Sequence, residues 1–142
     1  MKPSLAAGIT RTARLVVDRE RTIDFMGENA RVYATPMLVR DVEIACRELL
    51  LAHLDDGEDS VGTRVELDHT APTLCGMAVE ITVTVVEVKG RAVTLGVEAR
   101  DALDAICRGK HQRFVVDVNA TKARLAAKAE KAEKAEKAKA AA

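Results

Sequence analysis

The sequence predicts an α+β fold in which an antiparallel sheet wraps around one long apolar helix. One strand pattern precedes a helical segment that is too apolar for a one-sided surface helix, and four strand patterns follow it in a row. The 142 residues suffice for one domain, and apolar side chains make up 48% of them, which suits a packed core.

The chain begins with a strand and an irregular segment. Apolar and polar residues alternate loosely over 9–17, which predicts a strand. Residues 18–34 are polar and irregular, and Gly27 and Asn29 are typical of a loop. We therefore expect the helix to begin after this loop.

The long helix is predicted over residues 35–54. Thr35 is a good N-cap residue, and Pro36 fits the first helical position. An Asp-Asp-Gly sequence at 55–57 ends the apolar run. The helix has too many apolar residues for one buried stripe, so we expect other structure to surround it.

Four strands are predicted after the helix, separated by turn sequences rich in Gly, Pro and Asp. Their alternation and apolar runs cover the ranges 61–71, 79–88, 92–100 and 105–118. In the first of these strands, alternation places His69 on the same face as Val61 and Thr63, with Gly62 on the opposite face.

One buried helix followed by an antiparallel meander matches the hotdog arrangement, in which a curled sheet encloses a single helix. The predicted sheet has more strand than one helix can cover fully. Pairing two copies edge to edge would extend the sheet and remove exposed edges. We therefore expect a homodimer.

A charged tail follows the predicted domain. Residues 124–142 repeat Lys-Ala-Glu with a period of three and hold six basic and three acidic residues. Subtracting these from the 22 of each sign leaves 16 basic and 19 acidic residues, a charge of −3, for a domain at 1–123. The tail has no apolar stripe, so we expect a solvated, fraying helix rather than a tether for nucleic acid or a partner.

Composition excludes several classes of function. Basic and acidic residues number 22 each, and aromatic residues are limited to two Phe and one Tyr, so no nucleic-acid partner is expected. No apolar run approaches the roughly 18 residues of a membrane span, and the N-terminus is too short and polar for a secretory signal. We expect a cytoplasmic protein with no membrane partner. The three Cys and three His lack metal-ligand spacing, so neither a metal nor another cofactor is expected.

Three polar residues are candidates for chemistry, and each has a structural alternative. Thr35 can position a substrate or simply cap the helix that it precedes. Glu43 lies on an apolar side of the helix, but Arg40 and Arg47 allow an ordinary surface ion pair. His69 is either a satisfied core residue or a catalytic base in a pocket.

Two further positions are candidates for substrate binding. Gly62 permits a bulge or a close backbone approach at the start of its strand. Arg113 shares a face of the last strand with His111, and it can form a rim salt bridge or contact a ligand phosphate. Lys110 is a second candidate for that phosphate.

Two segments resemble a known family. YATPMLVRDVEIACREL at 33–49 and GEDSVGTRVELDHTAPTLCG at 57–76 are similar to the fluoroacetyl-CoA thioesterase family of hotdog-fold proteins. The similarity covers most of residues 8–118 and leaves the tail outside it. It implies a hotdog fold and an acyl-CoA substrate.

The resemblance also implies a set of site residues. The family has a catalytic Thr at the helix start, a Glu eight residues on and a His in the next strand, which correspond to Thr35, Glu43 and His69. A Gly-Thr pair that begins at Gly62 and an HxR motif that ends at Arg113 also match. These two positions are therefore implied to bind substrate.

The segment before the helix departs from the family. The family's fluoroacetate enzyme has a Phe-rich lid, with a gating Phe six residues before the Thr. That position is Asn29 here, and the segment offers only Phe25 and Tyr33. The resemblance therefore implies a thioesterase for small or medium acyl groups, without fluoroacetyl selectivity.

Thioester hydrolysis assigns roles to these residues. Glu43 attacks the carbonyl as nucleophile or acts as base on a water, and both roles stay open. His69 shuttles the proton, Thr35 positions substrate or water, and N–H groups near Gly62 or at the helix N-terminus hold the oxyanion. Eight helical residues rise about 12 Å, so we expect a composite site with Glu43 of one subunit facing Thr35 or His69 of the other.

Two other functions compete with hydrolysis. A non-catalytic hotdog module that binds acyl-CoA or only dimerises would be free to lose Glu43. A hotdog hydratase or dehydratase would use a His close to an Asp or Asn, but Asp68 and His69 are adjacent strand residues and point to opposite faces.

Overall fold

The computed structural model describes residues 1–141, in which five antiparallel strands form a sheet that packs on one long helix. The strands and helices are, in chain order, β1 Thr10–Val16, β2 Thr22–Ile23, β3 Val32–Tyr33, α1 Thr35–Leu51, β4 Glu58–His69, β5 Ala78–Lys89, β6 Ala92–Arg100, β7 Ala105–Asp117 and α2 Val118–Ala141. The main sheet has the order β1-β5-β6-β7-β4, so β1 and β4 are its edges. The predicted α+β class with an antiparallel sheet is confirmed. The predicted meander is wrong for β4, which pairs with β7 at the far edge of the sheet rather than with β5.

The segment between β1 and α1 is more ordered than the predicted loop. It contains two 3-10 turns, Arg19–Arg21 and Glu28–Ala30, and the two-stranded sheet of β2 and β3. The side chain of Phe25 is 86% exposed at the tip between these two strands. The segment therefore folds back on itself and delivers the chain to the start of α1.

One side of α1 supplies the apolar layer against the sheet. Its buried side chains recur every three or four residues: Leu38, Asp41, Val42, Ala45, Cys46, Leu49 and Leu50. The opposite side is open in the single chain, where Arg40, Glu43 and Ile44 are exposed. The sheet thus covers α1 on one side only. The helix ends three residues earlier than predicted, because the N–H of His53 bonds to the carbonyl of Leu50 in a tighter turn.

The sheet face toward α1 is apolar because the central strands alternate as predicted. The fully buried residues of β5 and β6 are Val79, Ile81, Val83, Val85, Val93, Leu95, Val97 and Ala99. Their alternate neighbours, such as Thr82 and Glu98, lie on the other face. This core packs α1 against the sheet and thereby fixes the positions of the residues along α1.

A bulge in β4 changes which residues face α1. Gly62 pairs with Arg113, whereas the next paired residue of β4 is Arg64, so Thr63 is an extra residue. An extra residue reverses the alternation of side chains between the two faces. Gly62 therefore lies on the same face as His69, and the prediction that placed Gly62 opposite and Thr63 beside His69 is wrong.

The C-terminal segment forms a solvated helix. α2 follows β7 directly, and all its residues from 122 to 141 are exposed. The helix begins at Val118, before the predicted domain boundary at 123, and that boundary stays a prediction. Neither helix in residues 1–141 is long and apolar enough to cross a membrane.

Candidate active site

α1 and the edge strand β4 run antiparallel, and their side chains meet along a seam. At the N-terminal end of α1, Thr35 Oγ1 lies 2.8 Å from His69 Nδ1. Near the middle of α1, Glu43 Cδ lies 3.5 Å from the position that a Cβ on Gly62 would occupy. The four residues that the sequence placed on α1 and β4 therefore fall into two pairs on one face.

Thr35 does not cap the helix. The N-cap position is Ala34, whose carbonyl accepts a hydrogen bond from the N–H of Leu38, and no side chain caps this end. Thr35 is thus the first residue of α1, and the prediction that it is the N-cap is wrong by one position. Because the hydroxyl is not used for capping, it is available to His69.

His69 has one nitrogen engaged and one without a partner. Nδ1 contacts the Thr35 hydroxyl, whereas Nε2 is buried and has no hydrogen-bond partner within residues 1–141. Burial lowers the pKa of His69 below its ordinary value of 6.5. A satisfied core histidine would have both nitrogens bonded, so this arrangement fits a neutral imidazole that can accept a proton.

Glu43 faces a cation of the sheet rather than one of its own helix. Its side chain is 48% exposed, and Oε1 lies 3.6 Å from Nη1 of Arg113 on β7. The alternative of an ion pair with Arg47 is not met, since Arg47 binds Asp59 through hydrogen bonds of 2.9 and 2.7 Å. Glu43 therefore presents a partly exposed carboxylate beside a fixed positive charge.

Arg113 is held in place by a buried hydrogen-bond network. It is 3% exposed, and it donates to the Ser60 hydroxyl and carbonyl at 2.7 Å each and to His111 Nε2 at 3.1 Å. His111 Nδ1 lies 2.9 Å from the carbonyl of Arg64. A guanidinium only donates and a carbonyl only accepts, so His111 is a neutral imidazole with its proton on Nδ1. Burial lowers the pKa of His111, in keeping with this state.

This position changes the interpretation of the predicted phosphate contacts. Arg113 is buried next to Glu43 and does not lie at an open rim. Lys110 is exposed and lines a groove on the opposite face of the sheet, together with Glu66 and Arg108. Neither cation is placed as a rim contact on the seam face, and their role in binding substrate stays a prediction.

Gly62 allows the close approach that the sequence suggested. A Cβ at this position would lie 3.1 Å from His111 Cε1 and 3.5 Å from Arg113 Nη1, as well as near Glu43. An added Cβ would therefore press on the His111 ring and fill the space beside the Glu43–Arg113 pair. The prediction of a bulge or close backbone approach at Gly62 is confirmed.

The cysteines near the seam do not compete as nucleophiles. Burial raises the pKa of the Cys46 thiol to about 12 and that of the Cys107 thiol to about 11. Both thiols therefore stay protonated near neutral pH, and the thiolate is the reactive form.

No cluster of His, Cys, Asp and Glu in residues 1–141 has the geometry to hold a metal ion.

Sequence reasoning missed two polar residues behind the seam. Asp41 is buried on the apolar side of α1, and Ser60 is the buried anchor of Arg113. A signal existed for Asp41, because it lies three residues after Leu38 on the apolar stripe, where an ionised side chain needs a partner. Nothing in the sequence pattern distinguished Ser60.

Comparison with known proteins identifies the family of the chain. The profile of the family described as fluoroacetyl-CoA-specific thioesterase matches residues 17–119. A fluoroacetyl-CoA thioesterase from Streptantibioticus cattleyicolor is 31% identical over 135 residues, which cover 90% of this chain and 97% of the relative. The solved structure of the fluoroacetyl-CoA thioesterase FlK has a TM-score of 0.81 at 30% identity and covers 88% of this chain and 98% of its own. A Thermus thermophilus member of the thioesterase superfamily has a TM-score of 0.86 at 31% identity, with 94% and 98% covered.

Fold, site and similarity together define a thioester hydrolase of the hotdog-like class. More particularly, the chain belongs to the fluoroacetyl-CoA-specific thioesterase family, because the family profile spans most of its length. The resemblance drawn from the two sequence segments is confirmed.

Proposed function

We propose that the protein hydrolyses a small or medium acyl-CoA thioester to the free acid and CoA. The observation that carries this proposal is the Glu43 carboxylate, held beside Arg113 on the face that also bears the Thr35–His69 pair. Its relatives support the substrate class, since FlK variants have been solved with fluoroacetate and CoA and with acetyl-CoA.

The chemistry divides between the two pairs. Glu43 either adds to the thioester carbonyl carbon and expels the CoA thiolate, leaving a mixed anhydride that water cleaves to the free acid, or takes a proton from a water that adds to the carbonyl directly. Arg113 places a positive charge 3.6 Å from the Glu43 carboxylate. Neutral His69 takes up the proton that the water releases and passes it to the CoA thiolate, and the Thr35 hydroxyl orients substrate or water. The alternative of a non-catalytic acyl-CoA-binding or dimerisation module would leave these groups without a task.

We further propose a homodimer with a composite site. Eight residues of α1 separate Thr35 from Glu43, about 12 Å along the helix axis, so the two pairs of one chain are too far apart to act on one carbonyl. β4 is an edge strand, and Ile44 and Val65 beside the seam are 41% and 40% exposed. A two-fold axis across this edge would bring Glu43 of one subunit toward Thr35 and His69 of the second.

The proposed substrate range does not include a preference for the fluoroacetyl group. Asn29, at the position of the family's gating Phe, lies exposed in a 3-10 turn. Phe25 is exposed at the tip of the segment, and Tyr33 is fully buried. The segment thus supplies no aromatic side chain in the manner of a lid over a small fluorinated group.

The test is hydrolysis of a panel of short and medium acyl-CoA esters. We expect the wild type to turn over several esters and Glu43→Ala to lose more than about 100-fold in kcat with the fold intact. The matched control is Glu48→Ala on the same helix, since Glu48 forms an exposed 3.0 Å ion pair with Arg11. If the wild type hydrolyses no ester, the binding module replaces the thioesterase.

A further inference from the structure

A buried carboxylate lies behind the Thr35–His69 pair. Asp41 is 5% exposed on the sheet-facing side of α1. It accepts hydrogen bonds from Arg21 Nε at 2.9 Å and Nη2 at 3.3 Å, and a third from the hydroxyl of Tyr33. A buried charge is tolerated only when it is paired and hydrogen-bonded, and these three bonds meet that condition.

Tyr33 connects this carboxylate to the candidate site. Its side chain is 1% exposed, and its ring meets the His69 ring edge-on, with centroids 6.4 Å apart and planes at 80°. Because Nε2 of His69 has no partner within residues 1–141, the imidazole is oriented by the Thr35 contact and by the Tyr33 ring. Whatever fixes the Tyr33 ring therefore helps to fix the imidazole.

We propose that Asp41 is a positioning residue for thioester hydrolysis, holding the Tyr33 hydroxyl so that the Tyr33 ring keeps His69 in line with Thr35. This role rests on the proposed function, because it is a role in that reaction. Arg21 completes the arrangement from the segment before α1. Its carbonyl accepts the N–H of Ala34 at 2.8 Å, so the same residue binds Asp41 and the backbone that precedes Thr35.

The attachment of the β1–α1 segment to α1 through Arg21 does not by itself explain why Asp41 is a buried carboxylate. Arg21 already has a partner in Asp18, whose carboxylate accepts from Nη1 at 2.7 Å and from the Arg21 backbone N–H at 3.0 Å. Asp18 is exposed and does this without burying a charge. Asp41 adds the hydrogen bond from the Tyr33 hydroxyl, which Asp18 does not accept.

Asp41 acts through position rather than through charge. Burial alone lowers the pKa of His69, with no contribution from Asp41. Removing the negative charge should therefore leave the pH dependence of the reaction in place and change only its rate. A changed rate with an unchanged pH dependence distinguishes a positioning residue from one that acts on His69 through its charge.

The test compares Asp41→Asn and Tyr33→Phe with the matched control Asp18→Asn, which removes a carboxylate from the same guanidinium. We expect kcat to fall about tenfold in the two test variants, with KM and the pH midpoint of kcat unchanged, and the control to stay within about twofold of wild type. Imidazole NMR supplies a readout without substrate, since the chain has three histidines. The His69 ring signals, identified by their loss in His69→Gln, should shift or broaden in both test variants and not in the control.

The proposal is overturned if Tyr33→Phe and Asp41→Asn lower only the unfolding midpoint and keep both kcat and the His69 ring signals. Should Asp41→Asn not fold, Tyr33→Phe decides alone, because it retains the Arg21–Asp41 pair. If the wild type hydrolyses no ester, the proposed function fails, whereas the NMR comparison still shows whether Asp41 positions His69.

Discussion

Single side chains along the seam keep the charge state that their burial dictates. Burial favours neutral His69 and neutral His111, and it keeps the Cys46 thiol protonated. Glu43 is partly exposed, and its carboxylate lies 3.6 Å from the Arg113 guanidinium. Near neutral pH the seam therefore combines a carboxylate with an imidazole that can take up a proton.

The lowered pKa of His69 predicts the acid limb of the pH profile. A reaction that needs the neutral imidazole keeps its rate at pH 6.5 and loses it as the pH falls through a midpoint below 6.5. The measurement is kcat/KM for the best ester between pH 4.5 and 8. A midpoint above 6.5 would contradict the half-buried His69 as the proton carrier.

The positions of α1 and of the longer strands could be predicted from the sequence. Apolar periodicity survives in any packing arrangement, so the pattern located β1, α1 and the four strands that follow α1. The sheet face on which Gly62 lies could not be predicted, because it depends on a bulge that is set by the pairing of β4 with β7. The prediction that Thr35 caps the helix failed for a similar local reason, since α1 begins one residue before the position that Thr35 and Pro36 indicate.

Two glycines of the sheet should differ sharply when replaced by alanine. A Cβ on Gly109 of β7 would lie 2.0 Å from the carbonyl oxygen of Glu66, whereas the nearest atom to a Cβ on Gly96 of β6 is a Val86 methyl at 3.5 Å. Gly109→Ala must therefore push β4 away from β7, and we expect it to cost more than about 3 kcal/mol in the free energy of unfolding.

Gly96→Ala is the control for this substitution, and it should change the free energy of unfolding by less than about 1 kcal/mol. Urea denaturation of the three proteins measures both values. Equal stability of the two variants would mean that β4 and β7 do not approach as closely as described.

For the whole molecule, the spacing of the two pairs makes the subunit arrangement testable. Mixed dimers of Glu43→Ala and His69→Ala chains contain one site with both substitutions and one intact site if the site is composite. Half of randomly assembled dimers are mixed, so about a quarter of the wild-type activity should return. The measurement is the hydrolysis rate after co-refolding of the two inactive variants.

If no activity returns in the mixed dimers, the site is not composite. Each site would then lie within one chain and carry one of the two substitutions. Each variant refolded alone is the control and should stay inactive. This arrangement could be proposed from helix geometry before any contact was known. The pairing of Thr35 with His69 needed the antiparallel placement of α1 along β4, which no local pattern encodes.

The segment between β1 and α1 separates what can vary from what must stay. Its base is held by Arg21 and by the pairing of β2 with β3, while its tip around Phe25 is exposed. Insertions, deletions and substitutions can change that tip without moving the start of α1. In evolutionary terms, descendants of this chain can vary the sequence and length of the tip while the start of α1 and the Thr35–His69 contact stay in place.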